Sequence, residues 1–437
     1  MSKLTIWLNR KRYSLIWSLF LLLPILCISA QEPLSHLTID EVYQMARTNY
    51  PLVKQKGLIS KTKEYTVSNA SKGYLPAFSI NGQATYQSDV TSFPFKIPIP
   101  GFTLPSYSKD QYKVYGELDQ VIYDGGLIKN QQQTAEANEM VQQQNLEVSL
   151  YSLYDRLDQL YFGILLVKQQ LLQNKILQKD IQNGVDKAKA LVANGTAYRS
   201  SVDELSAQLL QAEQSAVEIT ATQKAYLDML GLFINKKLDT NTELEKPVPP
   251  PINENINRPE VFYYDYQKKT LDLQDQLLKT QLRPKFSLYL QGGYGRPGLN
   301  MLNNDFSFFG IAGARVNWNL GSLYTYQNQK QLVDLNRKSL DVQKETFLLN
   351  TGITQKQQSA DMAKYRELIK KDEGIIALRA SVKNAASAQL ENGVLSAHDY
   401  LTQVNAEDQA RQNLILHQVQ LLLSEFNYQS TTGNSKK

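Results

Sequence analysis

The chain has 437 residues, 42% hydrophobic and 20% charged, with a formal net charge of +5. Four of its 47 basic residues, Lys3, Arg10, Lys11 and Arg12, lie in the first thirty positions, leaving 43 against 42 acidic ones, so no bulk electrostatic case for nucleic-acid binding remains. The one cysteine, Cys27, lies in the same stretch, and His36, His398 and His417 have no ligand or triad spacing, so no metal, cofactor or catalytic site is expected and the chain does not read as an enzyme.

Residues 1–30 read as a secretory signal peptide. A basic start precedes an uncharged run from Tyr13 to Ala30, which ends in Ile28-Ser29-Ala30. Leu26 departs from the small residue that a lipoprotein acylation site wants before its cysteine. No later apolar run reaches the ~18 residues of a spanning helix. If the mature chain sits in a membrane, it must do so as a β-barrel, which pairs every backbone group internally.

A first unit is expected over residues 31–245. It opens with a helix over about Ile39 to Tyr74 and then changes character at Leu75-Pro76-Ala77-Phe78-Ser79-Ile80. A strand near 77–88 places Phe78, Ile80, Gly82, Ala84 and Tyr86 on one face, with Ser79, Asn81, Gln83, Thr85 and Gln87 on the other. A second near 111–123 opposes Tyr112, Val114, Gly116, Leu118 and Ile122 to Lys113, Tyr115, Glu117 and Asp119. The proline-rich stretch between them, about Ser88 to Asp110, reads as an extracellular loop. Tyr123-Asp124-Gly125-Gly126 hands over to a helix over 127–193, where Leu146, Leu150, Leu153, Leu157, Leu160, Ile164, Val167 and Leu171 alternate spacings of four and three. At 1.5 Å per residue that helix is about 100 Å long, too long for an ordinary globule. Asn194-Gly195 is a natural left-handed reversal into a helix over 197–233.

Residues 246–258 hold Lys246-Pro247-Val248-Pro249-Pro250-Pro251, a proline-rich linker. The order then returns over 259–430. Arg283-Pro284-Lys285-Phe286-Ser287-Leu288 mirrors the earlier switch after a helix over about Pro259 to Leu282, and strands are expected near 285–295 and 306–320. Asn319-Leu320-Gly321-Ser322 leads into a long helix over 323–391, Asn392-Gly393 reverses it, and a last helix covers 396–428. Residues 431–437 read as a flexible tail. The chain is thus two internal repeats with a period of about 200 residues.

Four strands with one apolar and one wet side match transmembrane barrel strands, yet four cannot close, and open edges are forbidden in lipid. Several chains must build the barrel together, and three copies would supply twelve strands. The expected fold class is an α+β membrane protein: a trimeric β-barrel, four strands per chain and twelve in total, continued by a long α-helical coiled-coil barrel. Glu117, Asp119 and Arg315, charged within otherwise apolar strands, read as lumen-facing barrel residues that keep the pore wet.

With these elements in place the mature chain resembles the TolC family of outer-membrane efflux proteins. The resemblance rests on the duplicated order and on Leu37-Thr38-Ile39-Asp40-Glu41-Val42, Asn49-Tyr50-Pro51, Tyr123-Asp124-Gly125-Gly126 and Asn194-Gly195-Thr196. It implies a homotrimeric tunnel in the outer membrane of a Gram-negative bacterium, extending into the periplasm. Such a tunnel passively exports what an inner-membrane pump, of resistance–nodulation–division type, delivers through a periplasmic adaptor. Its partners would be those two proteins and outer-membrane lipid, not nucleic acid. The resemblance also implies a periplasmic aperture at Asp399 and its counterpart Asp203. Leu390 and Leu395 stand where some members carry a gate-locking tyrosine and arginine, so an apolar contact would replace a polar lock. Adaptor docking would fall on the reversing turns at Gly195, Thr196, Gly393 and Val394. The competing reading is a trimeric coiled-coil surface or structural protein anchored by a β-barrel.

Two tempting signals carry little. Gly293-Tyr294-Gly295-Arg296-Pro297-Gly298 spells G-x-G-x-x-G, but no helix opens after it, so it reads as a hairpin loop. His398-Asp399 lacks a nucleophile or third member.

Overall fold

The structure, a computed structural model, describes residues 36–90, 108–300 and 303–434. The expected signal peptide with Cys27, most of the first inter-strand loop and the last three residues lie outside the described residues. The elements are β1 (His36–Leu37), α1 (Ile39–Asn49), α2 (Gln55–Ser71), β2 (Ala77–Tyr86), β3 (Asp110–Tyr123), α3 (Leu127–Ala193) and α4 (Arg199–Ile234). They are followed by β4 (Glu243–Leu244), α5 (Pro259–Gln281), β5 (Lys285–Arg296), β6 (Ser307–Asn317), α6 (Ser322–Glu391) and α7 (Ala397–Thr432). The chain is mostly helical with some sheet.

Local chemistry sets most boundaries. Thr38 and Glu41 form a capping box on α1, the Glu41 amide donating to Thr38 Oγ1 at 3.3 Å and the Thr38 amide to Glu41 Oε2 at 2.8 Å. The helix expected to run unbroken to Tyr74 stops at Tyr50, because the residue before Pro51 is pushed out of the helical region (ψ 126°). Asp124 starts α3, its two carboxylate oxygens accepting from the amides of Gly126 (2.8 Å) and Ile128 (2.6 Å). Gly125 and Gly126 have φ of 77° and 92°, conformations open to glycine. β6 ends at Asn317, short of residue 320, where the Asn319 side chain turns back to accept from the Gly321 amide at 3.1 Å.

Both long helices reverse through the same device. Gly195 (φ 73°) and Gly393 (φ 71°) are left-handed, with Thr196 donating to the Leu191 carbonyl at 2.9 Å and Val394 to that of Gln389 at 2.9 Å.

α3 is the backbone of the helical body and packs against α2, α4, α5 and α7. Along its seam Leu146, Leu150, Leu153, Leu157, Leu160, Ile164 and Val167 are buried. Of these, Leu153, Leu157, Leu160 and Ile164 join Val42 and Tyr43 of α1, Leu227, Leu230 and Ile234 of α4, and Leu422 and Phe426 of α7 in one core. A second core near the reversing turns joins Ile181, Val185 and Ala188 to Leu205, Ala386, Leu390, Tyr400, Leu401 and Val404.

Two features were not legible locally. β1 and β4 pair in parallel (His36 with Glu243, Leu37 with Leu244), locked by the Tyr161 hydroxyl, which donates to the carbonyls of Leu37 (3.0 Å) and Glu245 (2.6 Å). The other concerns the described part of the expected tail, residues 431–434: Thr432 closes α7 fully buried, and Asn434 Nδ2 donates to the Asn255 carbonyl at 2.9 Å. The linker's exposed carbonyls gave that amide its partners.

Candidate functional site: the sheet's two faces and the helix turns

β2, β3, β5 and β6 form one antiparallel sheet in that order, with β2 and β6 as open edges. Within one chain the sheet is not a closed barrel. Register fixes which side chains share a face. Ile80, Gly116, Gly292 and Gly310 lie in one row, and Ser79, Glu117, Gln291 and Ile311 in the next. A bulge between Val121 and Tyr123 brings Tyr123, rather than the expected Ile122, opposite Phe286.

The exposure pattern is inverted relative to a soluble sheet. On the apolar face Phe78 is 69% exposed, Ile80 73% and Phe308 87%, with Val114, Leu288, Leu290 and Tyr294 also open. The polar face is the less exposed one in β3, β5 and β6, because its side chains hold one another. Here the three predicted lumen residues come together. Arg315 bridges Glu117 (3.0 Å) and Asp119 (3.1 Å) across β5, and lies 4.7 Å from the Tyr289 ring centre. Gln291 donates to Glu117 at 3.0 Å and Ser287 to Asp119 at 3.2 Å. The G-x-G-x-x-G stretch ends β5 and leads by a loop into β6.

At the opposite end of the molecule the structure separates the predicted aperture residues. Leu390 is buried and Leu395 packs beside it in the second core. Asp399 is exposed, accepting from the Ser396 hydroxyl at 2.7 Å while its own amide donates to that oxygen at 3.0 Å, so it also serves the start of α7. Asp203 is exposed on α4, and Gly195, Thr196, Gly393 and Val394 are exposed at the turns. Beside them His398 meets Glu204 at 2.9 Å, a contact between α7 and α4 that holds the imidazole above its ordinary range through that carboxylate.

Sequence reasoning missed the charges that tie the two helix pairs together. Lys383 of α6 reaches Asp180 of α3 at 2.8 Å and the buried Glu407 of α7 at 3.1 Å, and Glu407 also pairs with Arg411. Burial works against the Lys383 charge, but hydrogen bonds to the two carboxylates outweigh it and hold the ammonium above its ordinary range. The available signal was Glu407 itself, which falls in step with Val404 and Ala410 along the buried stripe of α7. Lys383→Met leaves Glu407 buried with Arg411 alone, and should destabilise the helical body by about 3 kcal/mol, measured as a fall in thermal unfolding midpoint.

Among the described residues no three His, Cys, Asp or Glu side chains gather as a metal set, and no helix is long and apolar enough to cross a membrane. Together the architecture is a four-stranded sheet with an exposed apolar face, mounted on two long helical hairpins. Residues 42–230 match the family model of the outer membrane efflux proteins, a family of transport proteins and not enzymes. The fold is shared with the outer membrane protein VceC of Vibrio cholerae at 13% identity and a TM-score of 0.65, over 90% of this chain and 96% of that one. It is shared equally with the CmeC outer membrane channel of Campylobacter jejuni (13%, TM-score 0.64, 91% and 87%). The open state of the MtrE outer membrane channel of Neisseria gonorrhoeae is likewise similar (12%, TM-score 0.65, 91% and 89%). No curated protein sequence matches the chain.

Proposed function

We propose that this chain is the outer-membrane channel of a tripartite export system, assembled as a homotrimer and passive in itself. The observation that carries the reading is the inverted sheet. Each large apolar side chain left in water forgoes about 1.5–3 kcal/mol of burial, and a whole face of them calls for lipid. Ten to fourteen residues at about 3.3 Å each, tilted by about 40°, suffice for an apolar band about 25 Å tall. Lipid cannot satisfy the free edges of β2 and β6. The two edges run antiparallel, so β6 of one copy can pair with β2 of the next, and three copies close twelve strands.

The helices then extend the bore into the periplasm. Asp203 and Asp399 ring the narrow end with carboxylates, which favours cations by the logic of charged rings, and the apolar packing of Leu390 and Leu395 stands in for a polar lock. The turns at Gly195–Thr196 and Gly393–Val394 dock a periplasmic adaptor, through which an inner-membrane pump of the resistance–nodulation–division type delivers cargo. The family match over residues 42–230 and the shared fold of three outer-membrane proteins support this reading.

The test is reconstitution of the full-length protein in planar bilayers. Trimers by cross-linking, with discrete conductance steps that rise in Asp399→Ala, are expected. A monomer that stays soluble without detergent would overturn the proposal, and trimers without conductance would favour the surface-protein reading.

A further inference from the structure

One row of the polar face does not fit a surface whose only task is to stay wet. Tyr115 of β3, Gly293 of β5 and Phe309 of β6 lie side by side, with Asn81 of β2 completing the row. The two rings stand 6.4 Å apart, tilted by 53°. Gly293 makes the approach feasible: a Cβ there would come within 2.5 Å of the Tyr115 Cβ and of the Val114 carbonyl oxygen. Neither ring belongs to either of the two hydrophobic cores among the described residues.

The charges around this row have a sign. On the polar face Lys113, Lys285 and Arg315 stand against Glu117 and Asp119. Both carboxylates are committed to Arg315, which remains 47% exposed while they are 16% and 27% exposed. Lys113 and Lys285 have no carboxylate partner among the described residues. Lys113 lies one row from the rings, about 7 Å along the strand, with its stem over Gly295. Rings flanked by an uncommitted ammonium on one side and, on the other, an open guanidinium that is rooted three rows away and reaches back to Glu117 in the adjoining row suit a molecule that brings a ring and a negative charge.

We propose that Tyr115, Phe309 and Lys113 form a cargo-contact collar in the outer part of the bore, selective for ring-bearing organic anions. The ring of the cargo stacks on the aromatic pair and its carboxylate or sulfonate meets Lys113. The inference rests on the polar face being the lumen of a channel.

The test measures block of the single-channel current of the full-length trimer by naphthalene-1-sulfonate, with methanesulfonate as the ringless anion. The aromatic sulfonate should block at concentrations at least tenfold below those of methanesulfonate. Tyr115→Ala with Phe309→Ala should erase most of that difference. Lys113→Gln should weaken block by both anions, and Lys113→Arg should restore it. Should the double variant not assemble, the lysine pair keeps the test alive. Equal block by the two anions, or block that Lys113→Gln leaves unmoved, overturns the collar while leaving the channel intact. Absence of any conductance from the unaltered protein overturns the channel reading first, and the collar with it.

Discussion

Ala312→Lys should sharply reduce assembly of the protein in the outer membrane, whereas Ile311→Lys next to it should leave assembly nearly normal. Hydrophobicity alone orders the two the other way, since isoleucine surrenders more apolar surface than alanine. Face decides otherwise. Ala312 shares its row with Leu118 and Leu290 on the open apolar side, at mid-strand, which the proposed channel sets at the bilayer midplane, where a lysine costs about 2–4 kcal/mol per copy. Ile311 shares its row with Gln291 and Glu117, so a lysine there enters the wet face beside a carboxylate. Heat-modifiable oligomer in outer-membrane fractions is the readout. Loss of oligomer in Ile311→Lys with retention in Ala312→Lys would reverse the assignment of the two faces.

The second large effect concerns pH and the helical body. Asp158 on α3 is fully buried in the main core, where the Tyr43 hydroxyl donates to it. Burial first, and the neighbouring Asp155 charge to a lesser degree, push its carboxyl from 3.8 up to about 7. A group whose proton is held more tightly in the folded state stabilises most below its unfolded value. That contribution is therefore complete below pH 3.8 and is lost as pH climbs to about 7. The shift corresponds to about 4 kcal/mol. Asp158→Asn keeps the shape and an acceptor for Tyr43 without the titration. Thermal unfolding in detergent should show the native protein losing stability relative to Asp158→Asn between pH 4 and 7, and parallel profiles for the two would refute the assignment.

What was legible in the sequence is what short-range periodicity encodes. Alternation of two placed Phe78 and Ile80 opposite to Ser79 and Asn81, and spacings of four and three marked the Leu146 to Val167 seam, because side-chain direction follows directly from backbone repeat. Asn-Gly pairs marked the left-handed reversals, since only a residue without a Cβ adopts that conformation freely. The interruption at Tyr50 was also written locally, in Pro51, which pushes the residue before it out of the helical region.

The amino-acid sequence by itself thus determined the element types, the long helices and the two-faced strands, all properties of neighbours a few residues apart. Tertiary structure alone decided which distant side chains meet. Arg315 reaches Glu117 across 198 positions, Lys383 reaches Asp180 across 203, and the Tyr115–Phe309 pair depends on a three-strand register with a glycine between. Such contacts arise from loop closure and packing of whole elements, whose energies are spread over many residues and leave no local pattern to read.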